Sequence, residues 1–410
     1  MAHVNAAVPG AREFYPLNEP AIGTHLAGEQ PELFKPIEIK GVTFKNRIFV
    51  SPMCQYSSSN GHATDWHFVH IGGFATRGAG SICMEATSVV PEGRISPEDA
   101  GLWQDSQMAP LQRIVEFCHS QGTKIGIQLC HAGRKATTYA PWIKAKTGHG
   151  TSWVAQADEN GWPDNVYAPS AIPWSEKYPN PKMMTEQDMQ YVEDAFVLAV
   201  KRCKKIGFDF IEFHAAHGYL MHEFVSPLSN TRTDQYGGSS LENRLRFPTR
   251  VLERIRQEWT DKPLFVRISA TDWAEGPEKS EDGTWLQWGI EQSILWVEKM
   301  LSLGIVDLVD CSSGGNWFKQ KIGPVIDGKI VPGYQVPFAE AMKKAHPSLI
   351  VGAVGTIDDP MVAESYLKDG KADVVSLARG FLRDPHWVLR AAKTLGCTVK
   401  AANQYERAWH

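Results

Sequence analysis

Eight short apolar runs, rich in β-branched residues and each stopped by a polar residue or glycine, recur along the chain from about Phe34 onward. They are RIFVSPM (47–53), SICMEAT (81–87), KIGIQLCH (124–131) and FDFIEFHAA (208–216), then PLFVRISA (263–270), VDLVDCSSG (306–314), LIVGAVG (349–355) and DVVSLARG (373–380). Near-continuous apolar strands belong to a parallel sheet covered on both faces. Helical periods lie between them. Leu111, Ile114, Val115 and Cys118 follow an i, i+3, i+4, i+7 stripe. Thr185 with Asp188 opens a second helix with a capping-box start and sets Met189, Val192, Phe196 and Cys203 on one face. Ile290, Ile294, Val297 and Leu301 repeat the theme. Eight strands alternating with helices, and no GxGxxG after the first strand, predict a closed (β/α)8 TIM barrel and not an open doubly wound sheet.

The barrel is expected over residues 31–400, as a single domain with extensions at both ends. Residues 1–30 read as an irregular N-terminal arm, and 401–410 as a C-terminal tail. Residues 139–183, rich in Trp, Pro, Gly and Asn, interrupt the rhythm after the third strand. An insertion of that length is expected to cap the barrel mouth.

Several function classes fall away on composition. The net charge is −4 and basic residues are scattered, so nothing tracks a nucleic-acid backbone. No apolar run approaches the roughly 20 residues that a membrane span needs. The N-terminus lacks a basic stretch followed by an apolar one, so no secretory signal is expected. The seven cysteines are odd in number, widely spaced and form no CxxC pair, which argues against a disulfide framework, a zinc knuckle or an iron–sulfur cluster. A reduced, cytoplasmic protein is the expectation.

Barrel enzymes keep their chemistry at the C-terminal strand ends. Those ends carry Ser51, Pro52, Met53 and Cys54, then Ala86, Gln128, the stretch from His214 to His217, Arg267, Ser312 to Gly315, Gly355, and Arg379 with Gly380. Glycine turns after strands seven and eight present backbone N–H groups to a phosphate, and Arg379 adds a charge-assisted contact. The densest polar stretch is FHAAHGYLMHEF (213–224). By itself it is open to a metal site, an acid/base pair, an anion hole or a structural role. No second ligand cluster sits at a neighbouring strand end, and His222–Glu223 lacks the second histidine of HExxH, so no metal is expected. A non-redox phosphate-binding barrel of the aldolase or isomerase type is the alternative. It needs a Schiff-base lysine or an acid/base carboxylate at a strand end, and none stands out.

Three segments carry a family resemblance: LFKPIEIKGVTFKNRIFVSPMCQYS, HAAHGYLMHEFVSPLSNTRTDQYGGSSLENRLRF and VSLARGFLRDPHW. Together they resemble the Old Yellow Enzyme family of FMN-dependent ene-reductases. The likeness covers about Pro31 to His410, and SPMCQYS, HAGRK and QYERAW resemble its thermophilic-like branch. The resemblance implies FMN across the barrel mouth, reduced by NADPH with NADH possible, and an enone, enal or imide as second substrate. It implies that Ser51, Pro52, Met53 and Cys54 line one flavin edge, that Ala86 and Gln128 meet the pyrimidine ring, and that Arg267 faces N1/C2=O. Gly315 joins that set, and Gly355, Arg379 and Gly380 hold the phosphate. His214 and His217 become an oxygen-gripping pair, and Tyr219 the proton donor. Cys54, Tyr56 and Lys135 border the substrate. Arg407, beside Trp409 in the tail, enters a neighbouring subunit's site, which implies a homodimer or homotetramer. A related dienoyl-CoA reductase type would need a cysteine-ligated cluster and a further flavin domain.

Overall fold

The computed structural model describes residues 18–144, 153–320, 325–326 and 329–409. Eight parallel strands close into a barrel: β1 (Ile48–Val50), β2 (Ser81–Ser88), β3 (Lys124–Cys130), β4 (Phe210–Ala215), β5 (Leu264–Ser269), β6 (Leu308–Ser312), β7 (Ile350–Val354) and β8 (Val374–Leu377). Each of the eight apolar runs contains one of these strands. Closure is made where Val375, Ser376 and Leu377 of β8 pair with Ile48, Phe49 and Val50 of β1. The surrounding helices are α1 (Asp65–Ala75), α2 (Met108–Ser120), α3 (Glu186–Ile206) and α4 (Leu241–Glu258), then α5 (Ile290–Ser302), α6 (Val336–Ala345), α7 (Pro360–Lys368) and α8 (Trp387–Thr394). The α2 stripe is buried throughout, and α3 begins with the Thr185–Asp188 capping box.

Alternation along the strands builds the interior in layers. The floor is apolar: Phe49, Cys83, Phe210, Phe265, Leu308 and Val374, closed from below by Ile39 and Phe44 of a hairpin (Ile37–Ile39 with Val42–Phe44). Phe210 stacks on Phe265 with ring centroids 4.5 Å apart. Gly126 makes room for that ring, since a Cβ there would lie 2.3 Å from Phe210. Two residues up each strand, the interior turns charged, with Glu212 on β4, Arg267 on β5 and Asp310 on β6. The register sets Arg267 opposite Asp310 on one side and His214 on the other. The top layer is polar, with Ser51, His214, Ser269 and Ser312.

The long polar segment after β4 is a structural tie. Asn230 donates to Phe224 O and Tyr236 O at 2.7 and 2.8 Å. Arg232 reaches Pro169 O and Met184 O at 3.0 and 2.7 Å, which anchors the 139–183 insertion to the barrel. Arg244, fully buried on α4, donates to Val225 O and to Gln292 Oε1 on α5.

Both chain extensions are more ordered than the sequence reading has them. Within the described part of the N-terminal arm, His25–Ala27 pairs with Thr398–Val399, and Ile22 is completely buried. The tail forms a 3-10 turn over Asn403–Ala408, held by a bond from Asn403 N–H to Asn18 Oδ1 (2.6 Å) and by Arg77 over the Tyr405 ring. Backbone pairing between the two ends supplies the order that local composition does not predict. Of the expected cap and extensions, residues 1–17, 145–152 and 410 lie outside the described residues.

Removing the floor's central ring tests the layered core. Phe210→Ala leaves Phe265 and Phe44 facing a cavity and is expected to cost about 3–5 kcal/mol, read as a lowered urea-unfolding midpoint.

Candidate active site

A cavity of about 420 Å³ opens at the C-terminal ends of the strands. It brings together eight of the predicted residues: Ser51, Pro52, His217, Arg267, Gly315, Gly355, Arg379 and Gly380. The glycine turns after β7 and β8 therefore share one cavity, with Arg379 exposed at its rim. Sequence reasoning missed the Tyr334–Gln335 pair and Trp273, which also line it. The first two sit in the β6–α6 loop and the third after β5, and no local periodicity marks any of them.

Beside this cavity the β4 end gathers the other candidates. The His214 and His217 rings stand at 89° with centroids 5.2 Å apart, and the Tyr219 ring meets His214 edge-on at 5.0 Å. Ala216 N–H donates to His214 Nδ1 at 3.2 Å, so the ring's own proton sits on Nε2. Burial holds both imidazoles well below the usual histidine range, and the positive charges of Arg267 and Lys135 push the same way. Both rings are neutral at pH 7. Burial, with Cys54 and Tyr56 close by, lifts the Tyr219 phenol well above its ordinary value.

His217 holds a left-handed backbone (φ 61°), unusual for a residue with a Cβ. Two neighbours hold it there. Gly315 (φ 99°) packs so closely that a Cβ on it would lie 2.2 Å from the His217 carbonyl carbon. The Lys135 ammonium donates to His217 O at 2.8 Å and to Gly315 O, under the Trp174 ring. Lys135 is thus engaged in positioning the His217 turn. Trp174 of the insertion donates to the same Gly315 oxygen at 2.9 Å, so the insertion touches the mouth as a cap would.

Arg267 is the charged centre of the site. Its Nη2 lies 3.0 Å from Asp310 Oδ2 and 3.2 Å from Ser51 Oγ, and Glu212 Oε1 lies 4.0 Å from its Nε. Burial opposes this charge, but Asp310 and Glu212 outweigh it and raise the guanidinium's pKa. The structural ion pair and a place on the cavity wall are therefore properties of one side chain. Asp310 and Glu212 were missed in the sequence, although both follow the period-two rhythm of their strands.

The remaining candidates lie around this centre. Ala86 and Gln128 pair in register across β2 and β3, and Gln128 donates to Glu212 at 2.6 Å. Met53 packs on the main core, while Cys54 and Tyr219 pack on a small cluster of Ile95, Ala132, Ala136 and Val166. Tyr56 meets the Trp142 ring edge-on at 5.4 Å. Arg407 stands apart, exposed on the tail turn. His222 and Glu223 lie behind the chemistry: His222 contacts Asp272 at 3.0 Å, and Glu223 accepts from Arg134 N–H at 2.9 Å.

The cavity suits a phosphorylated, hydrogen-bonding planar ligand such as FMN. Arg267 Nε, 4.0 Å from Glu212, and Trp273 Nε1 are buried donors without a protein hydrogen-bond partner, and both residues line the wall. Buried donors of this kind call for an acceptor. Arg379 and the two glycine turns line the same cavity and are groups of the kind that could hold a phosphate.

The profile of the NADH:flavin oxidoreductase / NADH oxidase family matches residues 32–397. A NADH:flavin oxidoreductase of Gibberella zeae is 46% identical over 405 residues, 98% of this chain and 95% of that protein. An NADPH dehydrogenase of Bacillus subtilis is 40% identical over 381 residues, covering 92% and 99% of the two chains. Among solved structures, morphinone reductase superposes with a TM-score of 0.70 at 23% identity, covering 92% of each chain, a likeness of fold.

A phosphate seat at Arg379 predicts a charge-dependent affinity. Arg379→Gln is expected to weaken FMN binding by about 1.5–3 kcal/mol, the worth of a charge-assisted hydrogen bond. Titration of flavin-stripped protein with FMN, followed by quenching of flavin fluorescence, measures it.

Proposed function

Because the chain belongs to the NADH:flavin oxidoreductase / NADH oxidase family, as an FMN-dependent oxidoreductase of the Old Yellow Enzyme type, we propose that it reduces the activated C=C bond of α,β-unsaturated carbonyl compounds. The observation that carries this reading is a right-angled pair of imidazoles, His214 buried and His217 half-buried on the cavity wall, beside a phenol, with both rings held well below the usual histidine range.

When bound, FMN supplies the hydride chemistry, taking two electrons from NADPH (or NADH) and returning them to a second substrate in ping-pong fashion. The chain's residues prepare that substrate. His214 offers Nε2–H, and His217 a second ring N–H, to the carbonyl oxygen of an enone, enal or imide. Donors aimed at an oxygen that gains negative charge stabilise the transition state, and removing one such donor typically costs about 10²–10³-fold in rate. Neutral rings suit the task, because they bind the developing oxyanion without donating a whole proton to it. Polarisation draws electron density from the β-carbon, where hydride arrives. Tyr219 then gives its proton to the α-carbon, and its raised pKa keeps the phenol protonated until that moment. Arg267 sets a fixed positive charge in the wall, where a reduced, negatively charged ring system is favoured. Ser51, Pro52, Met53, Ala86, Gln128 and Gly315 complete the cofactor's surroundings, and Cys54 and Tyr56 border the substrate.

Arg407 is read as reaching the site of a second copy, in a homodimer or in a homotetramer built from such dimers. The exposure of Arg407 on an ordered tail supports that reading. Among the described residues no helix is long and apolar enough to cross a membrane. With all seven cysteines unpaired, a reducing cytoplasm is the proposed compartment.

Two sets of variants test the assignments. Tyr219→Phe is expected to leave anaerobic bleaching of the flavin by NADPH intact while slowing the enone half-reaction by about 100-fold; an unchanged enone rate removes the tyrosine from the mechanism. His214→Ala and His217→Ala are each expected to weaken binding of a phenol and to lower enone turnover together. Phenol affinity equal to the wild type contradicts the oxygen-gripping pair.

A further inference from the structure

Two buried carboxylates have no part in the chemistry above. Among the described residues, Cys54, Glu85 and Asp99 bring their sulfur and carboxylate oxygens within 4.8 Å of one another. Cys54 is partly exposed at the mouth, whereas Glu85 and Asp99 are buried. Glu85 ends its side chain between two N–H groups, Gln55 N–H on Oε2 at 2.8 Å and His67 Nε2 on Oε1 at 2.9 Å. Thr64 N–H donates to His67 Nδ1 at 3.0 Å, which leaves the imidazole proton on Nε2, facing Glu85. Asp99 Oδ2 accepts from Ile95 N–H and Ser96 N–H at 2.8 and 2.9 Å, and its Oδ1 is buried with no partner. Burying two carboxylates this close together costs free energy, and the four N–H groups that they accept from offset part of that cost.

The enone reading gives the pair a purpose. An α,β-unsaturated carbonyl is an electrophile toward sulfur as well as toward hydride. A thiolate would form a C–S bond at the β-carbon, the π pair would move to the α-carbon, and that carbon would take up the proton the thiol had lost. The enzyme would be alkylated by its own substrate. The thiolate is the attacking species, so a cysteine in this place must be kept protonated.

We infer that Glu85 and Asp99 are positioning residues that hold Cys54 as a neutral thiol, so that it can border an electrophilic substrate without adding to it. The inference rests on the ene-reductase reading for its purpose, but not for its test. The titratable groups that act on the sulfur are neutral or acidic: Glu85 on β2, Asp99 in the following loop, Cys130 at the end of β3, and the Tyr56 and Tyr219 phenols, while the Arg94 cation of the same loop acts on Asp99. The one favourable contact for a thiolate is Ala86 N–H. Burial is the first cause that raises the Cys54 thiol, and the two carboxylates add to it. Burial and Glu85 together lift Asp99 to about 7. Asp99 therefore gains its charge as pH rises through neutrality, just below the range where an ordinary thiol, near about 8.5, would ionise.

The test needs no turnover. FMN-loaded, oxidised protein, free of NADPH and kept in EDTA, is treated with N-ethylmaleimide between pH 6 and 10. Alkylation of Cys54 is followed by intact mass and peptide mapping, with Cys54→Ala as the control that assigns the adduct. The wild type is expected to react slowly, with no rise toward an ordinary thiol titration below pH 9. Asp99→Asn and Glu85→Gln, each checked for a retained flavin spectrum, are expected to speed alkylation at pH 8 by about tenfold or more, since one pKa unit is tenfold in thiolate. A wild-type profile centred near about 8.5 overturns the inference, as does an unchanged rate in both variants. Fast alkylation of the wild type in EDTA, but slow without it, overturns it in favour of a bound metal. Failure of the enone reading would appear as absent enone turnover with this profile intact.

Discussion

The Arg267 guanidinium, buried halfway up the barrel, is the interaction on which the rest of the site depends. A charge at that depth is unstable unless it is paired. Asp310, opposite Arg267 on the next strand, and Glu212, which lies two residues below the register partner of Arg267 on the previous strand, supply the pairing. Below that layer the interior is aromatic and dry; above it lie serine, histidine and the open cavity. One cation therefore divides a core that maintains the barrel from the wall of the cavity. Its positive field also reaches upward. Together with burial it keeps His214 and His217 neutral, and neutral rings are what the proposed oxygen contact requires.

The second constraint is the strained turn at His217. A left-handed residue persists only where its surroundings hold it, and here Lys135 and the close approach of Gly315 do so. Trp174 ties the capping insertion to the same carbonyl. A single oxygen, that of Gly315, thus links the β3 loop, the β6 end and the insertion, so that movement of the insertion bears on the His217 turn.

The fold was legible because parallel strands carry a strong local signal. Each of the eight apolar runs holds a barrel strand, and the Thr185–Asp188 box opens α3. The extensions were less legible. His25–Ala27 is ordered by pairing with residues more than 370 positions away, a contact that no local pattern encodes. Within the site, residues at strand ends were legible because the barrel fixes where chemistry belongs. Asp310 and Glu212 sit one layer down, and their meaning appears only when Arg267 is seen between them. Trp273, Tyr334 and Gln335 come from loops, where neither period nor composition distinguishes a lining residue from a solvated one. The segment from Asn230 to Arg246, which carries much of the family likeness, proved to be a structural brace. Its distinctiveness marks the architecture, whereas the proposed chemistry is assigned to His214, His217 and Tyr219.

The central claim is that one cavity passes hydride from a nicotinamide nucleotide, through FMN, to an activated alkene. Anaerobic spectroscopy of the purified protein tests it most directly. The account predicts a yellow protein whose flavin absorbance is bleached by NADPH and restored by stoichiometric cyclohexenone, with the saturated ketone as product. A flavin that is bleached by NADPH but never recoloured by an enone, enal or maleimide would contradict it.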